Sequence, residues 1–223
     1  MLVSVVIRTK NEAKWIGQCL FAASNQSLVD YEVIVVDNES ADGTFDIAKA
    51  YDIKLLDISD ANFSYGHALN LGIEAASGRY VAILSGHCIP IDNYWLAKLL
   101  ANFQDPTVAG VYGRQEPMPD TNNFDKRDLW TTFGIERRVQ RKDYFFHNAN
   151  SMIRRSVWEK YPFDEEVNGL EDRMWAKHVL AEGYVIVYEP AASVHHHHGI
   201  HQGRDEKRAE RVVKVIEMKL QDR

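Results

Sequence analysis

Four short apolar runs, each leading into a polar turn or a helical stretch, limit what this chain can fold into more than any other feature. Leu2-Val3-Ser4-Val5-Val6-Ile7 comes first, then Glu32-Val33-Ile34-Val35-Val36-Asp37, Ile53-Lys54-Leu55-Leu56-Asp57-Ile58 and Tyr80-Val81-Ala82-Ile83-Leu84. Nearly continuous runs rich in β-branched residues fit strands buried on both faces, whereas half-exposed strands alternate. Helical segments separate them. Asn11-Glu12 is expected to open one, with Asn11 as N-cap and Trp15, Ile16, Cys19, Leu20 and Ala23 on its apolar face. Others are expected over residues 45–51 and 66–76. This alternation predicts an α/β fold with a mostly parallel sheet flanked by helices, and such sheets bind ligands beyond the carboxyl ends of their strands.

The pattern changes near residue 114. Pro117-Met118-Pro119-Asp120 interrupts regular structure, and the segment to Phe146 is polar and aromatic, with Trp130, Phe133, Tyr144 and Phe145. A strand at Asn150-Ser151-Met152-Ile153, a helix over 170–182 and a strand at 184–188 follow. Residues 1–114 are therefore expected to form a nucleotide-binding half. Residues 115–203 would be an acceptor-facing, catalytic extension of the same domain, and residues 204–223 an amphipathic helix carrying Val212, Val213, Ile216 and Leu220.

Composition excludes several classes. At 223 residues the chain can bury a sizeable core. Its net charge of -6 opposes a nucleic-acid role, which needs basic stripes. Cys19 and Cys88 are the two cysteines, both in apolar segments, and point to a reducing compartment rather than a disulfide. No apolar run approaches the roughly 18 residues of a membrane span. Met1-Leu2-Val3-Ser4 lacks the basic start of a signal peptide, so none is expected.

Polar clusters close the early strands: Arg8-Thr9-Lys10-Asn11-Glu12 after the first and Asp37-Asn38-Glu39-Ser40 after the second. On a parallel sheet they share one rim, where a carboxylate such as Asp37 can accept hydrogen bonds from a base or ribose. Ser40, Asp42 and Gly43 fit ligand contact and simple turn formation equally well. Gly-x-Gly-x-x-Gly is absent from the first turn, as is any Walker-type Gly-Lys-Ser/Thr, which excludes a glycine-rich phosphate cradle. A nucleotide here would be held by side chains and a metal.

Taken in order, several segments resemble the family 2 glycosyltransferases, and specifically their bacterial rhamnosyltransferase-like branch. These are 3–12; Val35-Val36-Asp37-Asn38-Glu39-Ser40-Ala41-Asp42-Gly43-Thr44; Gly66-His67-Ala68-Leu69-Asn70; 78–84; 111–117; 148–155; and Glu171-Asp172-Arg173-Met174-Trp175-Ala176. The resemblance runs from about residue 3 to 198. It implies a GT-A-like (Rossmann-like) fold and a nucleotide diphosphate sugar donor. Thr9, Glu12 and Asp37 would line the base and ribose pocket, Gly66 and Ser85 would belong to the donor side, and Asn150 would lie near the donor sugar. Asp172 would be the general base, positioned by Glu171. Ser85 and His87 stand where the family carries Asp-x-Asp, whose second residue normally holds a divalent ion. Imidazole suits Mn²⁺ better than Mg²⁺, so the expected cofactor is a divalent cation, Mn²⁺ ahead of Mg²⁺. The alternative is a metal-free site with charge supplied by His87, His67, Arg8 or Arg79. Within His195-His196-His197-His198, strand geometry alternates the side chains, and His196 best matches the family's histidine near the diphosphate.

The implied function is an inverting, non-processive transfer of one sugar to a hydroxyl of a surface-polysaccharide or lipid-linked glycan acceptor. A carboxylate deprotonates the acceptor while an oxocarbenium-like transition state forms at the anomeric carbon. Processive action is disfavoured by the lack of a Gln-x-x-Arg-Trp motif and of any span. The competing reading is a catalytically silent sugar-nucleotide-binding scaffold, motivated by the missing aspartates. A sugar-1-phosphate nucleotidyltransferase is opposed by the lack of a glycine-rich loop. The expected setting is cytoplasmic or at the inner membrane face. Membrane contact would be at most peripheral, and homo-oligomerisation is left open.

Overall fold

The computed structural model describes residues 1–59 and 63–200, with Lys207, Glu210, Val213 and Lys214 besides. The expected helix over 204–223 lies outside the described residues except for those last four, which are helical and exposed.

Strands β1 (Val3–Thr9), β2 (Tyr31–Asp37), β3 (Lys54–Asp57) and β4 (Tyr80–Ser85) are the predicted apolar runs, and they pair in parallel in the order β3-β2-β1-β4. Burial on both faces explains their composition. Val3, Val5 and Ile7 enter one core, under α1 (Ile16–Ser24), α2 (Thr44–Ala48) and α4 (Trp95–Leu100). Val6 enters the other, under α3 (Tyr65–Glu74), with α5 (Asn123–Thr132), α6 (Arg155–Trp158) and α7 (Glu171–Ala181) covering the same face further along. The sheet is thus flanked by helices on both sides, as the alternation predicts.

Beyond β4 the sheet becomes mixed. β8 (Asn150–Arg154) lies antiparallel to both β4 and β6 (Val108–Pro117). The boundary expected at residue 114 falls inside β6, so one sheet runs through both halves of the chain. β9 (Val185–His196) is parallel to β6 and far longer than the five residues expected from sequence. Its first half also pairs with β7 (Arg138–Gln140) and its end with β5 (Cys88–Pro90), both antiparallel. β9 passes Pro190, which lacks an N–H, at the irregularity where its pairing with β6 skips from Glu189 to Val194. Gly113 faces that irregularity: a Cβ there would lie 2.0 Å from the Ala192 carbonyl, so no larger residue fits. This continuation of β9 carries His196 to the rim where β4 ends.

Asn11 is not an N-cap. It sits in the left-handed region (φ 53°) and helix α1 starts five residues later. Its N–H donates to Ser40 Oγ and its Oδ1 accepts from Ala41 N–H, both at 2.8 Å. Asn11 thereby ties the loops after β1 and β2 together, a use of Asn in αL that its short polar side chain permits. Cys19 and Cys88 are both free and buried. Among the described residues no helix is long and apolar enough to cross a membrane.

Candidate active site

A cleft opens at the carboxyl ends of β1 and β4, where the end of β9 and the start of α7 converge on it. Arg8, Tyr65, Ser85, His87, Asp172 and His196 are among the side chains on its wall. A second, more open recess shares Arg8, Tyr65, His87 and His198 with it and adds Lys10 and Glu12.

One wall is a cluster of imidazoles. His87 and His196 lie with rings nearly parallel (7°) and centroids 5.0 Å apart, and their Nε2 atoms are 3.0 Å from each other. His198 closes the group, its ring 4.7 Å from that of His87 and 4.5 Å from that of His196. His197 points elsewhere and meets Trp15 at 4.9 Å, the alternation expected of extended chain. Burial, reinforced by the neighbouring histidines, holds the His196 imidazole well below its ordinary range. The same two causes bring His198 down to about 4. Both are therefore neutral at pH 7 and present lone pairs. One nitrogen from each of His87, His196 and His198 falls within 4.8 Å of the others, and His196 Nδ1 is buried without a hydrogen-bond partner. Three clustered imidazoles with an orphaned buried nitrogen fit a Mn²⁺-, Fe²⁺- or Zn²⁺-type ion and fit Mg²⁺ poorly.

The facing wall is acidic. Glu171 and Asp172 open α7 and are 6% and 9% exposed. Asp172 Oδ1 accepts from the Arg173 N–H (2.7 Å) and Oδ2 from the Asn148 N–H (3.2 Å), so both oxygens are held by the backbone. Glu171 Oε2 accepts from the Gly169 N–H at 3.2 Å. Burial, with Asp172 beside it, pushes the Glu171 carboxyl up to about 8. Glu171 thus keeps its proton at neutral pH, since two buried neighbouring carboxylates cannot both ionise cheaply. Between the walls stands Arg8, its guanidinium 4.3 Å from the Tyr65 ring centre and 3.5 Å from Ser85 Oγ.

Of the residues singled out from sequence, Ser85, His87, Glu171, Asp172 and His196 come together at this cleft. Glu12 is at its mouth, but its carboxylate is 2.5 Å from His87 Nδ1. The remaining four are placed differently. Thr9 is 1% exposed and packs beneath the Gly86 turn. Asp37 is equally buried, and its two oxygens accept from the Ser40 N–H and Oγ–H, so it organises the loop after β2. Gly66 packs under the 164–165 backbone, where a Cβ would meet the Asp164 carbonyl at 2.5 Å. Asn150 is fully buried: its Oδ1 accepts from Trp95 Nε1–H, and its Nδ2 donates to the carbonyls of Arg114 and Ala192. It clasps β8 to β6, β9 and α4 and does not reach the cleft.

Tyr65, His147 and Asn148 also line the cleft; Asn148 falls in the 148–155 segment that resembles the family, whereas Tyr65 and His147 lie outside the segments that marked the others. Ser64, in front of Tyr65, caps α3, its Oγ accepting from the His67 N–H. His147 and Asn148 lie in an irregular stretch before β8.

Comparison with known proteins places this architecture. The Glycosyl transferase family 2 model matches residues 4–161. An O-antigen chain rhamnosyltransferase, WbaN of Salmonella anatum, is 29% identical over 87% of this chain and 66% of its own length. The glycosyltransferase AglE of Haloferax volcanii is 32% identical over 83% of this chain and 64% of its own. The chain therefore spans less than two thirds of either relative. Staphylococcus aureus TarS (residues 1–349) superposes with a TM-score of 0.70 at 17% identity, covering 88% of this chain and 60% of that one. The mannosyltransferase PcManGT of Pyrobaculum calidifontis, solved with GDP-Man and Mn²⁺, gives 0.67 at 24% identity over 86% and 56%. The fold is of the GT-A type, and the chain belongs to glycosyl transferase family 2.

Proposed function

We propose that this chain is an inverting, non-processive glycosyltransferase. It moves one sugar from a nucleotide diphosphate sugar to a hydroxyl of a surface-polysaccharide or lipid-linked glycan acceptor, on the cytoplasmic side. One observation carries the reading: the Glu171-Asp172 pair and the His87, His196 and His198 imidazoles line a single cleft at the carboxyl rim of the sheet. The rhamnosyltransferase named among its relatives and the GDP-Man and Mn²⁺ bound by one structural neighbour support it.

In this scheme Asp172 takes the proton of the acceptor hydroxyl. The backbone N–H groups of Asn148 and Arg173 fix its carboxylate, and the N-terminus of α7 favours its negative form. Protonated Glu171 leaves the negative charge of the pair on Asp172. The acceptor oxygen bonds to the anomeric carbon as the bond from that carbon to the diphosphate breaks, and the diphosphate leaves with the electron pair. Arg8, held over Tyr65 and beside Ser85, supplies fixed positive charge for the departing phosphates. A divalent cation held by His87, His196 and His198 would neutralise the same leaving group.

The test is thermal stabilisation by UDP, dTDP, GDP and, as control, CMP, each in EDTA, Mg²⁺ or Mn²⁺. A ligand at 100 times its Kd stabilises the folded state by about 2.7 kcal/mol. One diphosphate should raise the melting temperature, and most strongly with Mn²⁺. No shift with any of them would refute donor binding. A shift without turnover of the matching sugar nucleotide would favour a silent binding domain, the reading that the Ser85 and His87 replacements invite.

A further inference from the structure

We infer that Glu12 is a positioning residue for the imidazole cluster, fixing His87 in the tautomer that presents a bare Nε2 to a metal ion. The inference rests on the metal-assisted form of the function proposed above. Three observations carry it. Glu12 Oε1 lies 2.5 Å from His87 Nδ1, with the two side chains only 21% and 12% exposed. A carboxylate can only accept, so the Nδ1 must carry the hydrogen, and in the neutral ring, the form that can bind a metal, Nε2 keeps its lone pair. That Nε2 points at His196 Nε2, 3.0 Å away, and not at solvent.

For a neutral His87 ring, the arrangement sets the hydrogens of the His87–His196 pair. With no ion, His196 must carry its hydrogen on Nε2 to bridge to His87, which leaves its Nδ1 as a bare, buried and partnerless acceptor. With an ion, His87 Nε2 is already the free ligand atom. His196 then needs only to move its hydrogen to Nδ1 for its own Nε2 to ligate. Glu12 is in turn held in place, because its backbone N–H donates to Thr44 Oγ1 at 2.7 Å. A carboxylate that receives the second ring N–H of a metal-bound histidine fixes ring orientation and raises ligand basicity. Glu12 belongs to a loop that sequence reading assigned to the base and ribose. Here its side chain faces an imidazole, so its substitution should change metal binding before it changes nucleotide binding.

Two variants and three readouts test this. Glu12→Gln keeps an acceptor oxygen and removes the charge, whereas Glu12→Ala removes both. Mn²⁺ affinity is measured by calorimetry and by electron paramagnetic resonance, UDP, dTDP and GDP affinity in EDTA by calorimetry, and the His87 tautomer by nitrogen-15 NMR of the metal-free protein. Loss of such an outer partner costs about 10- to 100-fold in metal affinity. Glu12→Ala should show that loss and a mixed tautomer at His87, Glu12→Gln a smaller loss with the tautomer retained, and both should leave nucleotide affinity in EDTA unchanged. Nucleotide affinity falling in EDTA while Mn²⁺ affinity holds would make Glu12 a nucleotide contact and overturn the inference while sparing the transferase reading. Wild type that binds nucleotide yet takes up no Mn²⁺, Fe²⁺ or Zn²⁺ would also overturn it. Loss of all nucleotide binding in wild type would defeat the function itself.

Discussion

Replacing Asn150 by Ala separates a structural role from a donor-binding one. The side chain is fully buried and makes three hydrogen bonds, accepting from Trp95 Nε1–H at 2.8 Å and donating to Ala192 O at 2.9 Å and Arg114 O at 3.0 Å. Truncation leaves the indole N–H without its acceptor and two carbonyls without a donor, in a place water does not reach. At about 1–3 kcal/mol for each unsatisfied buried group, and with partial relaxation of the carbonyls, the expected loss is about 3–4 kcal/mol. For a domain of this size that corresponds to a melting temperature lower by about 10 °C. Trp95→Phe removes the same indole hydrogen bond from the other side and should cost about 1–2 kcal/mol. The double variant should be less destabilised than the two single losses added, because they share a partner. The assay is urea unfolding together with nucleotide affinity measured well below the melting temperature, where affinity should be unchanged. A variant that melts within about 2 °C of wild type but loses donor binding would refute the clasp and restore Asn150 to the donor site.

Other predictions follow from the same geometry. Glu171 is held protonated in the folded state up to about pH 8, against 4.5 for the free group. The folded chain therefore binds a proton the unfolded chain releases, and wild type loses stability as pH rises from about 4.5 to 8. Glu171→Gln lacks that loss, so its advantage over wild type in urea unfolding should grow steadily across this window; parallel curves would show that the proton is not there. Gly66→Ala places a methyl 2.5 Å from the Asp164 carbonyl, so it should destabilise by about 1–3 kcal/mol while leaving nucleotide affinity intact. A direct donor contact at Gly66 would reverse that pattern.

The sequence made the scaffold readable because the scaffold obeys local rules. β1 to β4 are apolar runs bounded by polar turns, and burial on both faces is what such runs encode. The Glu171-Asp172 pair is a different case: two acids at the start of a helical pattern read locally as a helix start, and only their order after the other family-like segments singled them out. The length of β9 was not readable, because Glu189-Pro190-Ala191-Ala192 looks like the end of a strand. It continues only because β6, with Gly113, accommodates the irregularity, a relation across some eighty residues. Without that extension His196 cannot be set against His87. The family resemblance set Thr9, Asp37 and Asn150 at the donor site, with rim position a second reason for Asp37, but whether a polar side chain faces a ligand or its own fold depends on neighbours that no local pattern encodes. Asn150 found Trp95 and Ala192, Asp37 found Ser40, and Glu12 found His87.

The most direct test of the central claim compares wild type with Asp172→Asn in the release of nucleoside diphosphate from UDP-, dTDP- and GDP-sugars with Mn²⁺. Asn keeps the shape of the side chain, and its one oxygen can still accept from the Arg173 or the Asn148 N–H, though not from both, so the side chain stays in place and donor affinity should persist. Loss of a positioned general base costs about 100- to 10,000-fold. The account predicts that wild type turns over one class of donor, that Asp172→Asn binds it equally well, and that its turnover falls by at least that lower factor. Equal turnover by the two proteins would contradict the assignment of Asp172 as the base, and with it the mechanism drawn from this cleft.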